Sequence, residues 1–457
     1  MNSVTSAKPN LQSASTGQPN ELSACEAARA IAAGEVTSEA LVESCLARIA
    51  EREETVRAWA FLDPDYALEQ ARAADSLRRS GSPIGPLHGV PVGLKDIIDT
   101  RAMPTENGTP LDAGRQPGRD ATIVSLLREA GAVIMGKTVT TELAFFHPNK
   151  TRNPLDPDRT PGGSSSGSAA AVADRMVPLA IGTQTYGSLI RPASFCGVVG
   201  FKPSFGLVSR HGLLTLSPPL DTVGGFGRSV DDVALLCEAL IGHDPNDTAT
   251  EPRAHPRLLE SARSEPPVTP SIAFVKSPAW EKADDDARAG FEEVVRGLGA
   301  ACDEVELPDV FGQAHSLLHK LAAADMARLL GPYEKRGGEH LSQELRDQLG
   351  EGRAVSAVDY NAARDGQEIL NAGLDAIFDR FDAIVTTAAR GEAPRELTTT
   401  GDPAFSVLWT FCGVPALNLP LLAGNDGLPI GVQVVGRRFD DARLLRTANW
   451  LTRELAS

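Results

Sequence analysis

The sequence predicts an α/β fold, and three observations lead to it. Short apolar runs with strand character alternate along the chain with longer segments of helical periodicity. Residues 272–275, 287–298 and 302–307 form a strand–helix–strand unit, which implies that its two strands pair in parallel. The chain has 457 residues, of which 42% are hydrophobic, so it can bury a large core. Length alone allows one large domain or two to three small ones.

The first half of the chain opens with a polar stretch and continues with alternating elements. Residues 1–20 are rich in Ser, Thr, Asn, Gln and Pro, which predicts a disordered tail. Thr37 can cap a helix in which Leu41, Cys45 and Ile49 recur every four residues. Further helices are predicted at 21–33, 67–79, 121–130 and 230–241, and strands at 57–62, 132–135 and 177–181.

The second half is organised around two long helical patterns, at about 311–330 and 357–380. His315 and His319 stand four residues apart on the first of them. No acidic third ligand at helical spacing accompanies them, so ordinary helix residues are favoured over a metal site. The polar, Pro-rich residues 243–270 predict a long surface loop. Strands are predicted at 383–387, 416–421 and 430–435, and a last helix from about 440.

One lysine interrupts an apolar, strand-like segment at residues 87–99. Lys95 is either a lysine whose ammonium reaches out from a strand end or a buried lysine. Burial would hold the amine neutral and make it a base, because desolvation disfavours the charged form. The segment alone leaves both interpretations open.

The most informative stretch is rich in glycine and serine and covers residues 160–168. An alanine-rich helix start at 169–173 follows it, and then comes the predicted strand at 177–181. That strand ends in a second serine-bearing turn at 182–188. Two hydroxyls held on glycine-rich backbone suggest nucleophilic catalysis, with backbone N–H groups free to face a developing oxyanion.

Three other interpretations of this stretch are less favoured. A flexible linker would not lead at once into a strong helix former. A phosphate-binding loop needs a lysine after the glycines, and Ser168 is followed by alanines. Residues 163–167 fit the G-x-S-x-G pattern of a nucleophile elbow centred on Ser165. That motif must leave a strand, and the Pro-containing residues 153–158 cannot form a central one.

Composition narrows the class of protein. The formal net charge of −16 argues against general nucleic-acid binding, which needs a basic surface. The six cysteines are scattered without a CxxC pair, which is typical of buried thiols in a reducing compartment. No apolar run reaches about 18 residues, and no export signal opens the chain. We therefore expect a soluble, cytoplasmic protein that binds neither nucleic acid nor membranes.

Taken together, the motifs resemble those of the amidase signature family. The resemblance extends over about residues 21–455 and rests on GVPVGLKD at 89–96, GGSSSGS at 162–168, GTQTYGSLIRPA at 182–193, GVPA at 413–416 and GLPIGVQ at 427–433. It implies that residues 21–457 form a single α/β domain, with a mixed, mainly parallel central sheet covered by helices.

The resemblance also implies a role for each of the candidate residues. Ser188 matches the nucleophile, Lys95 the general base, and Ser164 the bridging serine, which in the family has an unusual cis peptide bond. Ser164 would relay the proton of Ser188 to a neutral Lys95 and return it to the leaving amine. The oxyanion hole would consist of the backbone N–H groups of Thr185, Tyr186, Gly187 and Ser188. This chemistry needs neither a metal nor a cofactor.

The residues beside the nucleophile depart from the family's commonest pattern. Gln184 stands where an aspartate is usual and Tyr186 where a glycine is usual. The arginine comes three places after the nucleophile, at Arg191, and not two. This arrangement resembles the malonamidase-like subgroup, and we take Gln184 and Arg191 as candidate substrate-binding residues. Arg191 either binds an anionic group of the substrate through its planar fork or serves as a structural arginine.

The implied activity is hydrolysis of a small carboxamide to a carboxylic acid plus ammonia or an amine, through an acyl-enzyme on Ser188. The alternative is the glutaminase-type subunit of a tRNA-dependent amidotransferase, which would deliver ammonia to a partner. On the first hypothesis the only partner is the small-molecule amide, without nucleic acid or membrane, and a homodimer is left open. The sequence does not identify the amide.

Overall fold

The computed structural model describes residues 17–456, so most of the predicted tail at 1–20 lies outside the described residues. The last residues of that segment are folded. Pro19–Glu21 forms a 3-10 turn, and the buried Asn20 donates from its amide to the carbonyl oxygen of Arg175 at 3.1 Å.

The described chain forms one 11-stranded sheet with helices packed around it. The strands are β1 Trp59–Leu62, β2 Pro91–Lys95, β3 Val133–Thr138, β4 Leu179–Gln184, β5 Val199–Lys202, β6 Thr222–Gly227, β7 Ile272–Phe274, β8 Cys302–Glu304, β9 Ala383–Thr387, β10 Ala416–Ala423 and β11 Pro429–Val435. The helices are α1 Ala24–Ala33, α2 Ser38–Val56, α3 Pro64–Arg79, α4 Thr122–Glu129, α5 Ser166–Ala173, α6 Ile190–Cys196, α7 Val230–Glu238, α8 Leu258–Arg263, α9 Asp285–Leu298, α10 Ala314–Leu329, α11 Gly331–Gly337, α12 Gln343–Ala354, α13 Ala357–Phe378, α14 Ala404–Phe411 and α15 Asp441–Ala456.

The sheet is mixed, with the order β1-β3-β2-β4-β6-β5-β10-β11-β9-β7-β8. Its parallel pairs form two groups, β3-β2-β4 and β9-β7-β8. The strands between these groups, and β1 at the edge, pair antiparallel. The predicted α/β fold with a mixed sheet covered by helices is confirmed. The predicted strand–helix–strand unit is β7–α9–β8, with the expected parallel pairing.

The parallel strands β2 and β4 lie at the centre of the first group and are buried on both faces. Val92, Leu94, Leu179 and Ile181 are all fully buried. Such uninterrupted apolar strands are typical of parallel sheets that have both faces covered. Because β2 and β4 run in the same direction, their carboxyl ends meet at one edge of the sheet. Lys95 is the last residue of β2 and therefore lies at that edge.

Helix α5 packs against these strands and is buried almost throughout. Its alanines allow close approach, and Gly167 in its first turn is required by contact with the backbone. A Cβ at Gly167 would lie 2.3 Å from the carbonyl oxygen of Ala58 and 2.4 Å from the amide nitrogen of Val139. The helix thereby holds the serine segment that precedes it against the sheet edge.

Two parts of the chain differ from the sequence-based expectation. The predicted surface loop at 243–270 contains α8, whose Leu258 and Ala262 lie four residues apart and are buried in a packing contact with α7 and α15. Helices α11 and α12 fill the interval between the two predicted long helices.

Within residues 17–456, no helix is both long enough and apolar enough to span a membrane.

Candidate active site

The predicted lysine lies in the interior of the protein. Lys95 has 0% exposure, and its Nζ donates to Ser164 Oγ at 2.7 Å and to Thr183 Oγ1 at 2.8 Å. Burial lowers the pKa of Lys95 from its ordinary 10.5 to about 7, and the Asp221 carboxylate acts in the opposite direction. At neutral pH a large share of the molecules therefore carry this amine uncharged, as a base requires.

The serine segment before α5 brings Ser164 to the lysine. The Gly163–Ser164 peptide bond is cis, and Gly162 has φ +80°, a conformation that favours glycine. A Cβ at Gly162 would also lie only 2.8 Å from Cα of Pro192 on α6. The segment therefore passes close against α6, and Ser164 is left 2% exposed beside Lys95.

Ser165, the serine of the elbow interpretation, has a structural role. Its Oγ donates to the Thr183 carbonyl oxygen and accepts from the Thr183 N–H, both at 3.2 Å. It is 0% exposed, and residues 160–163 before it are not a strand. The elbow interpretation therefore does not fit, and Ser165 instead ties the serine segment to β4.

The predicted nucleophile lies in the loop between β4 and α6. Ser188 is 8% exposed, and among the described residues its Oγ makes no hydrogen bond. Within the same part of the chain, none of the four backbone N–H groups from Thr185 to Ser188 donates to a protein acceptor. Four consecutive free N–H groups beside a serine can stabilise the anionic oxygen of a tetrahedral intermediate.

Gln184 precedes this run of free N–H groups and holds the residues that follow it. Its Oε1 accepts from the N–H groups of Leu189 and Ile190, at 2.8 and 3.1 Å. Its Nε2 donates to Thr410 Oγ1 on α14 at 2.9 Å, and Thr410 Oγ1 in turn donates to the carbonyl oxygen of Tyr186 at 2.7 Å. The side chain is fully buried, and both ends of its amide are engaged by protein groups. In this structure Gln184 holds the loop, whereas the sequence suggested contact with the substrate.

Arg191 is buried beside the serine segment. Its Nε donates to the Thr400 carbonyl oxygen at 2.6 Å, and its Nη2 donates to the Gly163 carbonyl oxygen at 2.7 Å and to Thr400 Oγ1 at 3.1 Å. The remaining nitrogen, Nη1, is buried without a hydrogen-bond partner in the described structure and lies against Gly187. Burial lowers the pKa of Arg191 to about 10, so the guanidinium stays charged at neutral pH. Nε and Nη2 of the guanidinium are therefore bonded to the protein, and Nη1 is available for a further hydrogen bond.

Sequence reasoning missed two residues that contact the site. Thr183 is the second partner of Lys95 Nζ, and Asp221 accepts a hydrogen bond from Thr185 Oγ1 at 2.6 Å. A small cavity at this edge of the sheet is lined by Thr183, Thr185 and Asp221, with Ile97 and Ala144 nearby. The place of Thr183 in the same glycine-bounded motif as the nucleophile is the only signal that could have indicated it.

The aromatic segment after β3 also borders the nucleophile loop. The rings of Phe146 and Tyr186 meet edge to face, with their centroids 5.3 Å apart, and Phe145 packs against Phe146 at 4.4 Å.

The histidine pair on α10 does not contact the site, and His319 Nε2 lies 2.8 Å from the Glu351 carboxylate. Among residues 17–456, no cluster of three or more His, Cys, Asp or Glu side chains could hold a metal ion.

Fold and site together define an α/β protein in which a buried lysine–serine pair lies beside a loop of free N–H groups. The chain belongs to the amidase family, whose model matches residues 40–445. It is 35% identical to one subunit of the Glutamyl-tRNA(Gln) amidotransferase of Chloroflexus aurantiacus, over 94% of this chain and 96% of that protein.

Solved structures agree with this assignment. A chain from a structure described as a vestigial protein complex that reveals the evolutionary origins of an s-triazine catabolic enzyme superposes with a TM-score of 0.88 at 27% identity, covering 94% of this chain and 98% of that one. The peptide amidase of Stenotrophomonas maltophilia superposes with a TM-score of 0.81 at 31% identity, covering 96% and 97%. The expected closer likeness to malonamidase-like members is not confirmed by these findings.

The relatives correct one expectation from the sequence. The absence of nucleic acid among the partners was inferred from the net charge of −16, and this inference is wrong. The curated relatives are named as one subunit of an amidotransferase, and that enzyme is named for glutamyl-tRNA(Gln). The physical reason is that net charge describes the surface of one chain and carries no information on what an assembly of several chains binds.

Proposed function

We propose that this chain hydrolyses a carboxamide C–N bond as the glutaminase-type subunit of a tRNA-dependent amidotransferase, with glutamine as the amide donor. The observation that carries the proposal is the buried lysine bonded to Ser164 at 2.7 Å, beside the free N–H groups of the Ser188 loop. The curated relatives, which share more than 30% identity over nearly the whole chain, support the subunit role.

In the proposed mechanism, Ser188 Oγ attacks the amide carbonyl carbon. Its proton passes to Ser164 Oγ, and the proton of Ser164 passes to the neutral Nζ of Lys95. The Ser188 hydroxyl makes no hydrogen bond to a described protein group, so it can turn towards Ser164. The carbonyl oxygen gains the negative charge, and the N–H groups of residues 185–188 stabilise it.

Collapse of the tetrahedral intermediate breaks the C–N bond. The proton held on Lys95 returns through Ser164 to the leaving nitrogen, so that ammonia departs and an acyl ester remains on Ser188. A water molecule then attacks the ester along the same proton path, and the acid is released with Ser188 restored. Every proton is accounted for by Lys95, Ser164 and Ser188, and the steps require no redox change.

Arg191 is proposed to recognise the acidic end of the donor. Its free Nη1 lies against Gly187, one residue before the nucleophile, and its other nitrogens are fixed by Thr400 and Gly163. A guanidinium held in this way has little conformational freedom left to lose when it binds a carboxylate. Glutamine carries a free carboxylate, as does any half-amide of a dicarboxylic acid.

A second candidate function is a stand-alone amidase acting on small amides. It is favoured by the departures at Gln184, Tyr186 and Arg191 from the commonest family pattern. Similar solved structures described as an amidase and as a peptide amidase also support it. Both candidates use the same hydrolytic step, and they differ in the amide and in the need for partner subunits.

The test is ammonia release by the purified full-length chain over glutamine, acid amides, aryl amides and ureas. Each substrate is assayed with and without the remaining subunits of a Glutamyl-tRNA(Gln) amidotransferase. Turnover of glutamine that requires the partners supports the first candidate, and turnover of another amide by the chain alone supports the second. No ammonia from any substrate, with or without partners, would overturn both.

The nucleophile is tested in the same assay. Ser188→Ala should abolish turnover, and hydroxylamine should convert the wild-type acyl-enzyme to a hydroxamate. The matched control is Ser166→Ala, which removes another buried hydroxyl from the neighbouring segment, one that donates only to the Val139 carbonyl oxygen at 3.3 Å. An active Ser188→Ala variant would contradict the assignment.

A further inference from the structure

A buried aspartate faces the nucleophile loop from the adjacent strand. Asp221 directly precedes β6, and β6 pairs antiparallel with β4 so that Thr222 lies opposite Gln184. Asp221 therefore comes opposite Thr185, the first residue of the loop. Its carboxylate accepts from Thr185 Oγ1 at 2.6 Å, and the residue is only 9% exposed.

The second oxygen of this carboxylate is held by the backbone. Asp221 Oδ2 accepts from the N–H groups of Leu216 and Ser217, at 2.8 and 3.1 Å. Burial raises the pKa of Asp221, and the hydrogen bonds from Thr185, Ser217 and Leu216 act in the opposite direction. The donors directed at both oxygens favour the charged form of this carboxylate, and burial opposes them.

The other charged groups near Asp221 and Lys95 have ion-pair partners of their own. Arg210 reaches the backbone oxygen of Asp221 at 3.5 Å, while its guanidinium is paired with Asp247 at 2.7 Å. The residue after Lys95, Asp96, pairs with Lys137 at 3.5 Å. The direct partners of Lys95 Nζ are neutral hydroxyls. Asp221 is therefore the anion that acts on the Lys95 amine, and burial is the opposing influence.

We propose that Asp221 is a positioning residue for the hydrolytic reaction, which holds the oxyanion loop through Thr185 and exerts its negative charge on the Lys95 amine. This rests on the proposed function. It extends that function by a residue that does not touch the substrate. The two effects are separable, because one depends on a hydrogen bond to a loop residue and the other on a charge.

Two variants separate the effects in the ammonia-release assay. Thr185→Val removes the hydrogen bond and keeps the charge. We expect kcat to fall about tenfold with little change in KM, because the loop acts on the transition state. The pH midpoint of kcat/KM should stay where it is. Asp221→Asn removes the charge but leaves an amide that can still bond the Thr185 hydroxyl, and it should lower that midpoint by on the order of one pH unit.

Asp325→Asn is the matched control. Asp325 is another buried carboxylate, and it accepts from Ser217 Oγ at 2.7 Å without reaching Thr185. Its loss should leave both kcat and the midpoint close to wild type. If Asp325→Asn reproduces the effects of Asp221→Asn, the role of Asp221 is general support of the loop and the proposal is wrong.

A second readout does not depend on turnover. Titration of the lysine Cε signals in the ¹³C spectrum, with Lys95→Met to assign the peak, follows the protonation of Lys95 directly. The midpoint should move down in Asp221→Asn and stay in Thr185→Val. If the Lys95 midpoint does not move in Asp221→Asn, the proposal is wrong even when the enzyme is active. If the midpoint moves but the wild-type protein releases no ammonia, only the proposed function is wrong. If Asp221→Asn does not fold, an unchanged kcat in Thr185→Val is sufficient to refute the proposal.

Discussion

The pH dependence of turnover is the sharpest test of Lys95 as the base. A lysine at its ordinary pKa of 10.5 is neutral in about one molecule in 3,000 at pH 7, whereas Lys95, with a pKa of about 7, is neutral in about half. Burial therefore raises the fraction of competent enzyme by a factor on the order of 10³. We expect kcat/KM for amide hydrolysis to rise about tenfold per pH unit below pH 6 and to level off above pH 8.

Lys95→Arg is the informative substitution. A guanidinium keeps a positive charge at this position but does not lose its proton in the accessible range. The variant should lose at least about 10³-fold in kcat/KM, and higher pH should not restore the activity. The assay is initial-rate ammonia release from pH 5 to pH 9, with the substrate identified by the amide panel.

Lys202→Met provides the matched control for this experiment. Lys202 is also fully buried, and burial lowers its pKa to about 7, but its Nζ donates to the Pro203 carbonyl oxygen at the end of β5. Its loss should leave the midpoint unchanged. Either a wild-type midpoint above pH 9 or a Lys95→Arg variant with near wild-type activity would refute the reasoning.

Three further predictions concern the loop, the substrate and the fold. Gln184→Asp removes the amide that donates to Thr410, and it should lower kcat about tenfold with little change in KM. A fully active variant would show that the Gln184–Thr410 bond does not hold the loop. Arg191→Lys should raise KM chiefly for amides with a second, free carboxylate, and equal losses on charged and neutral amides would mean that Arg191 holds the loop only. Gly167→Ala should lower the free energy of unfolding by about 3 kcal/mol, because its Cβ would overlap the backbone, whereas Gly118→Ala, whose Cβ would meet no atom within 4 Å, should change it little in a thermal melt.

The sequence predicted those parts of the site that depend on local pattern. An apolar run with one lysine indicated β2 and Lys95, and the glycine and serine motif indicated Ser164 and the loop of Ser188. The structure brings Lys95 and Ser164 within 2.7 Å of each other. Lys95 ends β2 and the Ser188 loop follows the parallel strand β4, so the alternation of strands and helices was sufficient to place these two at one sheet edge.

The contacts of the site that the sequence could not predict join residues that lie far apart along the chain. Asp221 reaches Thr185 only because β6 lies antiparallel beside β4, and β6 has the sequence TVGGFG, which is a weak strand signal. Its glycines are required by packing, since a Cβ at Gly224 would lie 2.1 Å from the Phe201 carbonyl oxygen. The bond from Gln184 to Thr410 joins residues 226 positions apart. No local pattern carries such information.

The burial of Lys95 has a consequence for thermodynamic stability. Because the pKa of Lys95 is lower in the folded protein than in the unfolded chain, the unfolded state binds this proton more tightly. Below pH 7 the unfolded state is therefore favoured by on the order of 5 kcal/mol at this one position. The penalty shrinks as the pH rises towards 10.5 and then vanishes. The neutral amine that suits the lysine for taking up a proton thus makes the folded chain less stable at the pH where it works, and the large apolar core must offset that loss.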